Sequence, residues 1–280
     1  MAELVMGAVA YDPKVVTIWD GFRGWLRAHG LPFDYVLYSN YERQVEDLVA
    51  GRIHVAWNSP LAWVRARRRA DVVGRRVRAL VMRDTDRDLS SVVVVRANDD
   101  IRSAADLAGR TVGTGAIDSP QATLLPLALL AGMGITVKAR RFDVGVGLHG
   151  DHVGGERDAA RALLAGEVDA ACLLDATHLT LAREGLLPAG SIRIVAQTPP
   201  YDHCNMTAID TAPSLSVARF AALLRGMSYA DPTVRPLLDL EGLTSWEEGR
   251  TLRYDDLEAA VDRLQFYGPF GELTEPDYAP

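Results

Sequence analysis

Short apolar runs of strand length alternate along this chain with amphipathic stretches of helical length. That alternation narrows the folds open to it more than any other feature. Leu4–Ala10 reads as a strand. Val15–His29 then places Val15, Ile18, Trp19, Phe22, Trp25 and Leu26 at helical spacing, until Gly30 and Pro32 stop it. Phe33–Tyr38 reads as a strand, Tyr41–Ala50 as a helix closed by Gly51, and Ile53–Trp57 as a strand. Asn58-Ser59-Pro60 opens another helix, and Arg78–Met82 and Val92–Arg96 are strands joined by a polar turn. From Ile101 the same grammar returns. Thr111–Thr114, Arg140–Val146, Val168–Leu174 and Ile192–Ala196 read as strands, separated by helices over 120–130, 156–165 and 177–184. The β-α-β-α order argues for an α/β fold with largely parallel sheets.

Two segments repeat. Leu48-Val-Ala-Gly51-Arg-Ile-His-Val-Ala56 aligns with Leu163-Leu-Ala-Gly166-Glu-Val-Asp-Ala-Ala171, 115 residues later. Gly7 through Asp12-Pro13 likewise echoes Gly113 through Ser119-Pro120. Matching order in both halves points to two equivalent lobes, which suits 280 residues.

The net charge of −7 argues against wrapping nucleic acid. Seven arginines and one aspartate fall between Arg65 and Arg78, but few stacking aromatics accompany them. They read either as a solvated helix face paired to acids or as a docking patch for an acidic partner. Two cysteines, Cys172 and Cys204, cannot build a disulfide scaffold. The apolar run Thr123–Val137 is too short to cross a bilayer. Met1–Ala10 carries Glu3 and no Lys or Arg, so it reads as a first strand rather than a secretory leader. The expected location is cytoplasmic as the sequence stands, or periplasmic or lipoprotein-anchored if a leader has been removed. There is no P-loop, no nucleophile elbow and no dinucleotide-binding glycine turn in strand–helix context.

Ligands of open α/β sheets bind beyond the C-terminal strand ends. Here those ends carry Tyr11-Asp12, Asn58-Ser59, Asp118-Ser119-Pro120-Gln121, the loop from Gly147 to His152, and Asp175. Ser119 can cap a helix that begins at Pro120, and such an N-terminus favours an anion without needing a lysine.

Four stretches resemble one known family. "LVAGRIHVAWNSP" (48–60), "IRSAADLAGRTVGT" (101–114), "DSPQATLLP" (118–126) and "AGEVDAACLLD" (165–175) are similar to the phosphonate/phosphite-type substrate-binding proteins of ABC transporters. The resemblance implies a two-lobed type 2 periplasmic-binding-protein-like fold with a ligand cleft between the lobes. Lobe one would comprise 1–92 plus 207–280 and lobe two 93–206, with hinges near Val92–Arg96 and Asn205–Ala208. It implies a small anionic ligand and an ABC permease as partners. Tyr11, Asn58, Ser59, Ser119, Gln121, His149, His152 and Asp175 would contact the ligand. Trp57, Tyr41 and Tyr201 would wall the cleft. The family's hydroxyl cluster is here Ser119-Pro120-Gln121, so phosphonate, phosphate and carboxylate all stay open. No cofactor is expected. The alternative is a cytoplasmic lyase or biosynthetic enzyme on the same fold, using His149, His152, His203 or Cys204 as catalytic groups. The same four residues could instead hold a divalent transition metal. His29, His54 and His178 read as surface positions, and Cys172 as strand core.

Overall fold

The computed structural model describes residues 2–143 and 152–280, excepting the side chains of 152 and 153. Helix α1 (Lys14–Ala28) buries Val15, Ile18, Trp19, Phe22 and Leu26, the stripe expected from their spacing. Asn40 caps α2 (Tyr41–Val49) by accepting a hydrogen bond from the Arg43 N–H at 2.8 Å. Ser59 does the same for α3 (Pro60–Val72), accepting from Ala62 N at 3.2 Å.

Among the described residues the strands form two sheets. The first has six strands in the order β11-β4-β10-β3-β1-β2: β1 (Leu4–Val9), β2 (Phe33–Tyr38), β3 (Val55–Asn58), β4 (Val77–Arg83), β10 (Asn205–Ile209) and β11 (Trp246–Glu248). The second has five in the order β7-β6-β8-β5-β9: β5 (Ser91–Arg96), β6 (Thr111–Thr114), β7 (Lys138–Arg141), β8 (Ala170–Leu174) and β9 (Ile192–Gln197).

The internal repeat is visible in the strand register. Gly51 closes α2 at φ +73° and leads to β3, whose Ala56 pairs with Gly7 of β1. Gly166 follows α5 (His152–Leu164) at φ +77° and leads to β8, whose Ala171 pairs with Gly113 of β6. Each unit needs a left-handed residue to turn from helix into strand, which glycine supplies without a Cβ penalty.

The expectation of largely parallel sheets needs correcting. β1–β2, β1–β3, β6–β7 and β6–β8 are parallel, but β10 runs antiparallel to β3 and β4, and β5 antiparallel to β8 and β9. The cause is connectivity. The chain leaves the C-terminal end of β4 and enters the second sheet from the facing end, so β5 must run away from its neighbours' C-terminal ends. The return from β9 to β10 has the same consequence.

The cores follow from the layers. Met6, Trp19, Phe22, Phe33, Met206 and Phe220 fill one face of the first sheet beneath α1 and α7 (Ser214–Arg225). A separate core crosses between the sheets. It joins Trp63 and Val64 of α3 to Leu124 and Leu125, to Tyr201, and to Leu257 and Val261 of α9 (Asp255–Arg263).

The first arginines of the basic cluster serve this last layer. Arg65 donates to the carbonyls of Gly271 and Glu42, both at 2.9 Å, and pairs with Glu46 at 2.7 Å. Arg67 pairs with Glu258, and Arg68 with Asp262 and with the carbonyls of Tyr267 and Gly268. They fasten the C-terminal segment onto α3. Arg75, Arg76 and Arg78 are exposed. Among the described residues no helix is long and apolar enough to cross a membrane.

Candidate ligand cleft

The C-terminal ends of the parallel strands in the two sheets carry the polar residues expected at a ligand site. In the second sheet, β6 ends at Thr114 and the chain turns through Gly115 into a capped start at Ser119. Ser119 is fully buried, and its Oγ accepts from Ala122 N at 3.1 Å. Pro120–Leu124 forms one wide π-type turn before α4 (Leu125–Gly132), and such turns recur at functional sites. A Cβ on Gly115 would meet that of Ala122 at 2.8 Å, so the turn packs directly on the strand end. Asp118, Gln121 and Thr123 are also buried here. The Gln121 Oε1 is enclosed and accepts no hydrogen bond from the described residues. Asp175 begins α6 (Asp175–Arg183) beyond β8 and lies half exposed, 3.9 Å from His178.

On the first sheet, Tyr11 follows β1 and Tyr41 opens α2. Tyr11 is 43% exposed as a residue and carries a perturbed hydroxyl. Burial pushes that hydroxyl up to about 12, with Glu241 and Cys204 adding to the effect. Burial also holds the Tyr41 hydroxyl well above its ordinary value, reinforced by Cys204, Tyr11 and, from the second sheet, Asp118. The two walls therefore approach each other at Tyr41 and Asp118.

Arg83 ends β4 on the same wall, but its charge is already engaged. It holds Asp86 through two hydrogen bonds, of 2.5 and 2.9 Å, and donates to the Glu241 carbonyl at 2.8 Å. Its guanidinium lies over the Trp57 ring, 5.3 Å from the centroid. Burial disfavours the Asp86 carboxylate, but Arg83 outweighs it and holds the group down at about 2. Glu241 ends α8 (Arg235–Glu241) and has only a share of Arg83, so burial pushes its carboxyl up to about 7. Burial keeps Cys204 a thiol, well above its ordinary range, with the Asp86 and Glu241 charges adding.

Comparison with known proteins settles the family. The family described as ABC transporter, phosphonate, periplasmic substrate-binding protein matches residues 7–254. The chain belongs to this family. Solved structures share its fold. The PhnD1 protein of Prochlorococcus marinus, in complex with methylphosphonate, superimposes with a TM-score of 0.67 at 16% identity, covering 94% of this chain and 98% of that one. XAC2383 of Xanthomonas citri, bound to ATP, gives 0.69 at 19% identity, covering 95% and 98%. The aliphatic sulphonate binding protein SsuA of Escherichia coli gives 0.51 at 16%, covering 94% and 84%. A search of the curated proteins finds no match. The two-lobed α/β architecture of periplasmic binding proteins is thus the architecture of this chain, and the enzyme alternative gains no support from the comparisons.

The sequence candidates distribute unevenly within this binding-protein fold. His149 and the side chain of His152 lie outside the described residues. Asn58 is fully buried and its carboxamide faces inward: Gln44 Nε2 donates to its Oδ1 at 2.8 Å, and its Nδ2 donates to Thr207 Oγ1 at 2.9 Å. Trp57 is buried, packed edge-on against Trp246 with the Arg83 guanidinium over its ring, so it backs the Arg83 wall, whereas Tyr201 lies in the core between the sheets with its hydroxyl 2.7 Å from Ser91 Oγ. His54 is no simple surface position, because its Nδ1 accepts the Val5 N–H at 2.9 Å. His203 and Cys204 adjoin each other, with Nδ1 and Sγ 3.1 Å apart. A nucleophilic role for Cys204 would need a thiolate, and its surroundings favour the opposite form. Arg83, Asp86 and Glu241 were absent from the sequence candidates, and Asp118 entered only as part of a strand end. The available signal was position, since Arg83 and Asp118 sit where strands end.

Proposed function

We propose that this chain captures a small phosphonate- or phosphate-class oxyanion between its lobes and delivers it to an ABC permease, outside the cytoplasmic membrane. One observation carries the reading. The enclosed Ser119–Gln121 turn stands at the cleft end of β6, with no Lys or Arg between Thr114 and Leu124, opposite Tyr11 and Tyr41. The dipole at the start of such a turn favours an anion without a counter-cation. Asp118 is suited to accept the O–H of a protonated oxyanion. Tyr11, Ser119, Gln121 and Asp175 are the proposed contacts, with His149 and His152, which follow β7 in the sequence, as further candidates. Asn58 and Ser59 position the first wall from behind.

The lobes are proposed to follow the two sheets, close to 1–92 plus 207–280 and 93–206. Val92–Arg96 and Asn205–Ala208, expected as hinges, fall inside strands β5 and β10, so closure is proposed instead about Asp84–Ser90 and Thr198–Cys204, the segments that link the sheets. Capture and release need no cofactor.

Calorimetric titration with methylphosphonate, phosphate, methanesulfonate and acetate tests the proposal. One phosphonate or phosphate per chain, recovered unchanged, is the expected result. Failure of all four to bind, or turnover of the one that binds, would overturn it.

A further inference from the structure

We infer that Asp86, His203 and Cys204 form a binding site for one thiophilic divalent transition metal, of the zinc or cobalt class, on the lobe-one wall. The site does not depend on which anion the cleft takes. Asp86 comes from the first linking segment, and His203 and Cys204 from the second. The Asp86 carbonyl accepts the His203 N–H at 2.8 Å, which fixes the two segments side by side. His203 Nδ1 lies 3.1 Å from Cys204 Sγ and 3.4 Å from Asp86 Oδ1, and one ligand atom from each residue falls within 4.8 Å of the others. Zinc bonds of about 2.3 Å to sulfur and about 2.0 Å to nitrogen place two tetrahedral ligand atoms roughly 3.5 Å apart. The two distances from His203 are therefore within a few tenths of an ångström of metal spacing, and the Asp86–Cys204 distance is within 4.8 Å. Thiolate, imidazole and carboxylate together are a borderline-soft donor set, and three protein donors leave a fourth position for water.

Without metal, the Cys204 S–H can donate to His203 Nδ1. On binding, the metal takes that proton's place, Sγ becomes a thiolate, and one proton leaves to solvent. With Arg83 still on Asp86, the dication is balanced by the thiolate, the Asp86 carboxylate and an ionised Glu241 beside Arg83, while imidazole stays neutral.

Two surrounding groups sharpen the selectivity. Arg83 remains on Asp86 and repels any cation that does not draw a thiolate with it, so calcium and magnesium, which prefer oxygen cages, are poor occupants. Glu241 is buried beside the same Arg83, at 3.5 Å, and its Oε1 accepts no hydrogen bond from the described residues. An incoming positive charge offsets the cost of ionising it. Because the ligands come from both linking segments, an occupied site would staple the two together.

Cobalt(II) titration of the whole chain, followed by near-ultraviolet absorption and by equilibrium dialysis, is the test. The expected result is one cobalt per chain, with a thiolate-to-metal charge-transfer band and a raised Tm. Calcium should neither bind stoichiometrically nor raise Tm. The chain has only two cysteines, so the source of the band is decidable. It should persist in Cys172→Ala and vanish in Cys204→Ser, and stoichiometric retention should be lost in His203→Asn. Absence of stoichiometric cobalt in the wild type, or a band that survives Cys204→Ser, would overturn the inference. Anion titration of metal-free protein reports separately on the transport reading.

Discussion

Leu89 and Tyr201 exchange two backbone hydrogen bonds, each of 2.8 Å, so the two segments that link the sheets are paired with each other. Motion about them must carry both together. Tyr201 also locks its own end, its hydroxyl meeting Ser91 Oγ at 2.7 Å in a buried setting. Tyr201→Phe leaves that serine without its partner and should cost about 1–2 kcal/mol in urea unfolding. Tyr201→Ala also empties part of the core between the sheets and should cost about 3–5 kcal/mol. Equal, negligible losses in both variants would show that the pairing is incidental.

Glu241 and Asp86 respond to pH in opposite senses. The Asp86 carboxyl is depressed to about 2 in the fold. Its contribution is present above the ordinary value of 3.8 and is lost as pH falls through about 2. The Glu241 carboxyl is raised from 4.5 to about 7, so the folded state holds a proton that the unfolded state releases. Stability therefore falls as pH rises from about 4.5 through about 7. Glu241→Gln removes that slope. Relative to the wild type it should gain on the order of 2 kcal/mol between about pH 5 and about pH 8, read from denaturant midpoints. A parallel pH profile for the two proteins would count against the assignment.

The buried Arg83–Asp86 pair should be costly to break and poor at holding other anions. Asp86→Asn leaves a guanidinium enclosed with only the Glu241 carbonyl and a partial share of its carboxylate. About 3–5 kcal/mol of destabilisation is expected, measured by chemical denaturation.

Helix spans were legible because burial alone decides them: α1 hides the residues its 3.6-residue period singled out. The repeated Gly–strand units were legible too, since a left-handed glycine at Gly51 and Gly166 is a local requirement. Strand direction was not. An apolar run in β5 or β10 looks the same whichever way it enters a sheet, and only the two sheet-to-sheet links decide it. The lobe-one wall escaped for a related reason. Arg83, Asp86, Cys204 and Glu241 come from three distant segments, and their pairing exists only after β4 and β10 have become neighbours. Asn58 misled because an amide at a strand end has the right composition for ligand contact, whereas its side chain here is consumed by Gln44 and Thr207.

Asp118 should set the choice between oxyanions. A protonated phosphonate offers an O–H to a carboxylate, whereas a sulfonate at neutral pH has none and meets only repulsion. Asp118 is buried at the turn, close enough to raise the Tyr41 hydroxyl. Asp118→Asn should lower the preference for methylphosphonate over methanesulfonate about tenfold, equivalent to about 1.4 kcal/mol. The ratio of the two Kd values from calorimetry is the readout, and an unchanged ratio would remove Asp118 from the contact set.

Arg65 should control the C-terminal segment. It is one of few arginines in this chain with almost no exposure, and each of its three nitrogens has a partner: the Gly271 carbonyl, the Glu42 carbonyl and the Glu46 carboxylate. Gly271 also packs tightly, because a Cβ there would come within 2.9 Å of Arg69 and sits at φ +76°. Nearby, Tyr267 donates its hydroxyl to Glu42 at 2.7 Å, so α2, α3 and the tail share one polar junction. Arg65→Met keeps much of the side-chain volume but removes all three hydrogen bonds, leaving two carbonyls and a carboxylate to find water. The tail should then detach before the sheets unfold. Limited proteolysis should cut the variant within residues 265–280 under conditions that leave the wild type intact, while far-ultraviolet circular dichroism stays close to the wild-type spectrum. Cleavage at equal rates in both proteins would mean that the apolar contacts of Phe266 and Tyr278 hold the tail without help from Arg65.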